Sequence, residues 1–181
     1  MTEAQFAASF GQRNDAILSA WLGAGADPER VRRIGEAKEA CFRRLVALEG
    51  LAPLPGAAEW IERLMLAGWR QAIASSAPRA NVEAMVRALG VAGRLDALVS
   101  AEDVRAGKPD PEVFLVAAAR LGVPAARAVV VEDAAAGIEA ARRAGMRSVG
   151  VGPVKLEVAD VAVSSLADLP ADAFERLVPP A

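Results

Sequence analysis

Three short stretches set reactive side chains just beyond apolar runs. In the first, Ala72-Ile73-Ala74-Ser75-Ser76-Ala77-Pro78-Arg79-Ala80-Asn81, an extended apolar segment leads into two hydroxyls and a helix start. Hydroxyls and backbone amides at such a place cradle an anion, and Arg79 adds charge for a second anionic group. Helix capping by serine is the alternative. In the second, Gly107-Lys108-Pro109-Asp110-Pro111-Glu112-Val113-Phe114, a lysine stands just ahead of a proline-started helix and can meet a phosphoryl group as a point charge. An exposed loop lysine would look the same in sequence. In the third, Val129-Val130-Val131-Glu132-Asp133, two carboxylates end a buried apolar strand. Charge there is costly unless a cation or a donor compensates it. Such hard oxygens suit Mg²⁺, unless Asp133 merely caps the next helix.

Composition narrows the chemistry further. The 181 residues contain no histidine and one cysteine, Cys41. Ser-His-Asp and Cys-His catalysis, histidine-ligated metals, disulfides within the chain and cysteine zinc sites are thereby excluded. Catalysis must run on carboxylates, Lys, Arg, Ser and backbone amides. A net charge of −2 argues against a nucleic-acid partner. The polar start MTEAQFAASFGQRND has no apolar core of a signal peptide, and no apolar run approaches membrane-spanning length. The expected address is cytoplasmic, with no membrane partner.

These residues need strands and helices to hold them. Residues 1–50 read as helices only: one with Asn14 or Asp15 as N-cap and Ile17, Leu18, Trp21 and Leu22 at helical spacing, and one begun by Asp27-Pro28. The second carries an apolar stripe through Val31, Ile34, Ala37, Ala40, Cys41 and Leu45. Leu51 to Gly56 breaks the pattern and marks a boundary, giving a helical lobe over 1–50 and a core over 51–181. Beyond it, helical and extended periods alternate. Strands are predicted over 69–74, 95–100, 128–131, 148–151 and 161–163, with helices around Trp60, over 81–89, 111–121 and 134–144. Strands separated by helical crossovers imply an α/β fold with a doubly wound parallel sheet, whose ligands gather at the carboxyl ends of the strands.

The strings at Gly107 to Phe114 and Glu132 to Met146 have the pattern GKPxPxxF and EDxxxGxxAAxxAGM. With Ser75 upstream, their order and separation resemble the haloacid dehalogenase superfamily, in its β-phosphoglucomutase-like phosphatase and mutase branch. The resemblance implies a Rossmann-like core with an N-terminal helical cap, and Mg²⁺-dependent phosphoryl transfer on a small phosphorylated metabolite, plausibly a sugar phosphate. Ser75 and Lys108 would contact the phosphoryl group, with Ser76, Arg79 and Asn81 beside them. Asp133, helped by Glu132, would face the metal. In the cap, the stretch Phe10 to Asp15 is similar to one that contacts substrate, with Arg13 carried over and Lys38 as a second contact.

The family's reaction begins at an Asp-x-Asp pair ending a first, central strand, and no two aspartates of this chain are separated by one residue. The first aspartate is the nucleophile and the second the general acid/base. With the cap starting at residue 1, that strand is expected to be missing from its place between the strands ending at Ser75 and Asp133. The chain by itself is then expected to be inactive and less stable than a complete relative. The neighbours would close on each other, borrow a strand from another molecule, or leave an open edge for self-association. A non-catalytic relative that binds phosphate or a protein is the alternative function.

Overall fold

The computed structural model describes residues 11, 13–23, 25–152, 156 and 158–178. Phe10 and Gln12 of the cap stretch, and residues 3–10, lie outside them. Helix α1 (Asn14–Leu22) and the long α2 (Pro28–Glu49) come first. Pro28 takes the first helical position of α2 and Asp27 accepts the Glu29 amide, as the Asp-Pro pair suggests. The core follows as α3 (Ala57–Leu66), β1 (Ala72–Ala74), α4 (Arg79–Ala88), β2 (Ala97–Val99) and α5 (Glu112–Leu121). It continues through β3 (Val129–Glu132), α6 (Ala135–Arg143), β4 (Arg147–Val151), β5 (Val161–Val163) and α7 (Ala173–Leu177). No helix among the described residues is long and apolar enough to cross a membrane.

All strand pairs are parallel, but the described strands form two sheets rather than one. β1 pairs with β2, and β3, β4 and β5 pair in that order. Helices cover both faces. On one, α5 and α6 bury Val113, Phe114, Ala117, Ala140 and Ala141 against Val99 and Val130. On the other, Trp60 of α3 and Phe174 of α7 pack on Val149 and Val151, and Val82 and Val86 of α4 pack with Ile61 and Ile73. Trp60 also donates its indole N–H to the Leu166 carbonyl at 2.9 Å. The chain enters α3 through Gly56, at φ +83°, where a Cβ would stand 2.3 Å from the Ala167 amide nitrogen. Only glycine allows that backbone contact.

Between the two sheets lies a cavity of about 410 Å³, lined by all of β1 and β3 and by residues of α3 and α5. Among the described residues β1 and β3 do not pair with each other.

One local expectation fails. The stripe through Ala37, Ala40, Cys41 and Leu45 of α2 is exposed, and the buried positions are Gly35, Glu39 and Val46. Glu39 fits that face because three neighbours satisfy its carboxylate, so charge did not mark the solvent side.

Candidate functional site at the strand ends

Lys108 organises the carboxyl ends of β1 and β3. It is 7% exposed, so the loop holding it is folded inward. Its Nζ donates to Glu132 Oε2 at 3.0 Å and to the Ala74 carbonyl at 3.3 Å. The lysine thus bridges the mouth of the cavity, and its charge lies 4.8 Å above the Phe114 ring. The Lys108–Pro109 peptide is cis. Glu112, near the start of α5, accepts the Arg105 and Ala106 amides at 2.7 and 3.0 Å and fixes the loop before Lys108.

Arg13 is laid against the same loop. Its Nη1 donates to the Val104 carbonyl at 3.2 Å, and a Cβ on Gly107 would come within 2.7 Å of its Cγ. A side chain at 107 would push Arg13 away and loosen the tie between the start of α1 and the Lys108 loop. Glu132 is seated in a similar way on α6: a Cβ on Gly137 would fall 2.1 Å from its Cδ. The glycine of the EDxxxG string therefore makes room for the glutamate that opens it.

Burial raises the Glu132 carboxyl above its ordinary value, with Lys108 opposing the shift. Asp133 is exposed and does not cap α6: the N-cap is Ala134, with no side-chain capping bond. As Mg²⁺ ligands the two carboxylates form a partial set. Among the described residues no three metal-binding side chains cluster, and Glu132 is already engaged by Lys108. The donors present suit a hard cation through Asp133, and further ligands would have to be added to complete its shell.

Ser75 follows β1 directly, its amide donating to the Val99 carbonyl at 3.0 Å and its Oγ accepting the Ala77 amide at 3.1 Å. The N-cap of α4 is Pro78, without a side-chain bond, so neither serine caps that helix. The first amide of α4, at Arg79, is taken by the Glu102 carboxylate at 2.9 Å, and the Arg79 guanidinium pairs with Asp103. Any anion cradle here is therefore made by the Ser75–Ser76 turn and Lys108, not by an open helix start.

Asn81 and Lys38 belong to a second cluster, between α2 and α4. Asn81 is 3% exposed; it accepts from Arg43 at 2.7 Å and donates to Glu39, which also receives Asn14 and Lys38. Burial works to raise the Glu39 carboxyl, but these partners hold it below its ordinary value. Lys38 itself is mostly solvent-facing. Between this cluster and the start of α4 opens a second cavity of about 700 Å³, bordered by Arg13, Glu39, Arg43, Ser76 and Glu102. Glu39 and Arg43 escaped the sequence reading. The signal was present, since residues 35, 39 and 46 share one helix face and a glutamate among small and apolar neighbours there implies a satisfied charge.

Residues 5–145 match the haloacid dehalogenase-like hydrolase family. The fructose-1-phosphate phosphatase YqaB of Escherichia coli (strain K12) is 37% identical over 131 residues, covering 71% of this chain and 65% of that protein. Protein CbbY of Rhodobacter capsulatus is also 37% identical over 131 residues, which is 58% of its length. The chain thus spans less than two-thirds of these curated relatives. Among solved structures, β-phosphoglucomutase (pgmB) from Clostridium difficile superposes with a TM-score of 0.88 at 25% identity, over 98% of this chain and 82% of that one.

Proposed function

Because the chain belongs to the haloacid dehalogenase-like hydrolase family, we propose that it grips the phosphoryl group of a small phosphorylated metabolite, a sugar phosphate, for hydrolysis or transfer. The observation that carries this is the buried Lys108, held at the strand ends between Ala74 and Glu132 and beside the Ser75–Ser76 turn. A desolvated ammonium next to hydroxyls and backbone amides binds phosphoryl oxygens far more strongly than an exposed lysine would. In this reading Ser75 and Lys108 contact the phosphoryl group. Residues 1–50 act as a cap over the core at 51–181; Arg13 and Ser76, on the second cavity, border the rest of the substrate, and Lys38, Arg79 and Asn81 hold the side chains around it. The names of the matched phosphatase and phosphoglucomutase support a sugar phosphate.

Enzymes of this family generally use Mg²⁺. Asp133, with Glu132 behind it, is the residue that would face the ion, which would offset negative charge on the phosphoryl oxygens. The chain has no Asp-x-Asp pair, so by itself it binds phosphate without turnover. That absence also favours the second reading, a non-catalytic phosphate-binding relative.

The test is titration of the full chain with inorganic phosphate, followed by phosphorus NMR, together with turnover of p-nitrophenyl phosphate. Phosphate should bind, the Lys108→Met variant should lose at least about tenfold in affinity, and turnover should stay at background. Equal phosphate binding by the folded variant would place the site elsewhere. Turnover by the chain alone would overturn the reading that it binds phosphate without turnover.

A further inference from the structure

Arg13 and Asn14 sit side by side at the start of α1, and both line the second cavity. Arg13 is the N-cap and lies on the Val104 carbonyl, in the loop before Lys108. That cap makes no side-chain bond to the helix, so contacts with other elements place the start of α1. Asn14, a residue type that caps helices well, spends its side-chain amide on Glu39 of α2 instead. Glu39 is buried, and two further donors meet its carboxylate: Lys38 Nζ and the side-chain amide of Asn81 on α4. The Asn81 oxygen in turn accepts from Arg43 at 2.7 Å. Three helices, α1, α2 and α4, thus converge on one carboxylate. A glutamate suits the place because it accepts from all three donors, whereas a glutamine would turn its own amide hydrogens on one of them. An apolar residue would leave the facing amides without an acceptor.

We propose that Glu39 is a positioning residue for Arg13: by anchoring Asn14 it sets where α1 begins, and so how Arg13 meets the part of the substrate beyond the phosphoryl group. The inference rests on the reading that Arg13 borders the substrate in the second cavity. Glu39 acts through Asn14, and a rigid peptide plane joins Asn14 to Arg13, so a shift of one is passed to the other. Directional bonds to a buried, fully satisfied carboxylate fix that corner more sharply than apolar packing would. Lys108 is held separately, by Glu132, by the Ala74 carbonyl and by the loop that Glu112 fixes. Loosening the start of α1 therefore leaves the phosphoryl contact in place and weakens only the grip on the rest of the ligand.

The test compares inorganic phosphate with fructose 1-phosphate, each titrated into the full chain by calorimetry. Glu39→Gln should weaken fructose 1-phosphate binding about tenfold and leave phosphate affinity within about twofold. Asn14→Ala cuts the same link from the α1 side, keeps the Lys38 and Asn81 bonds to Glu39, and should reproduce that split. Glu39→Gln combined with Asn81→Asp moves the charge across the pair while every hydrogen bond can still form, the new carboxylate on α4 accepting from the glutamine amide and from Arg43. This exchange should restore fructose 1-phosphate affinity. In an Arg13→Ala background, Glu39→Gln should change neither affinity further, because no guanidinium is left to place. A Glu39 that only stabilises the fold would lower both affinities together, or add its loss to that of Arg13→Ala. Either result would overturn the proposal. Without any ligand, the NMR signals of the Arg13 Nε–H and of the Arg105 and Ala106 amides should shift in Glu39→Gln and return in the double exchange. Signals that do not move would overturn the proposal whether or not a sugar phosphate binds. If those signals respond while the wild type binds fructose 1-phosphate no better than phosphate, the placement of Arg13 by Glu39 stands and the substrate reading of Arg13 falls.

Discussion

Asp103, in the turn after β2, and Glu132, the last residue of β3, both meet basic side chains, yet their carboxyls shift in opposite directions. Their side chains are about equally covered, at 12% and 10% exposed. What differs is the company. Asp103 is held well below the usual carboxylate range by Arg120 first and then by the Ser100 amide and hydroxyl, each at 2.8 Å. Its two arginines, Arg79 and Arg120, are themselves 40% and 39% exposed, so the cluster stays connected to water. Glu132 faces Lys108, which is 5% exposed, and burial outweighs that single ammonium. A carboxylate's state therefore follows from the balance between its burial and the donors that face it. The first cluster is a structural clamp. The second is a buried pair with a single cation.

The sharpest way to break this contrast is Lys108→Ala. It leaves Glu132 buried without its cation, and the loss of stability should be about 3–5 kcal/mol in urea denaturation. The double change Lys108→Met with Glu132→Gln should recover most of that, because no charge is then left uncompensated. Asp103→Asn should cost less, about 1–2 kcal/mol, since its arginines can turn to water. Its effect should also depend on pH. The folded value lies below 3.8, so the wild-type contribution is present above about pH 4 and is lost as pH falls through the folded value. The variant should accordingly show a flatter acid limb. Glu132→Gln leaves the Lys108 ammonium buried without its anion, so it should also cost about 3–5 kcal/mol, with the opposite pH trend. The folded carboxyl is raised above 4.5, so the wild type gains from this group below pH 4.5 and loses that gain as pH rises through the folded value. The stability of the variant relative to wild type should therefore climb between acid and neutral pH. The same slope in both variants would mean the two clusters do not differ as described.

Much of the fold was legible because periodicity and burial agreed. Val113, Phe114, Ala117 and Ala118, read as one stripe, are all buried in α5, and the run ending at Glu132 is β3. The strand expected from Trp69 begins only at Ala72. Trp69 packs edge-on against Phe174, and the Gln71 amide is taken by the Asp96 side chain, so neither joins the ladder. Helix α7 went unread because five residues give too little pattern. At the site, the motifs drew attention to Ser75, Lys108 and Asp133, but the partners of each were hidden. That Lys108 pairs with Glu132, that Arg79 is held by Asp103 and that Glu39 joins α2 to Asn81 all depend on residues distant in sequence, which no local spacing encodes.

The division of the sheet also bears on how the chain folds. Strands β1 and β2, with α4 between them, come from one contiguous stretch, and β3 to β5 come from a later one. Each is a local unit with short loop closures, which can form early and independently. Helix α5 lies between them in sequence and packs on β1, β2 and α6 alike. During synthesis the first unit can assemble while the second is still being made, and the docking of α5 onto α6 becomes the step that joins two finished halves.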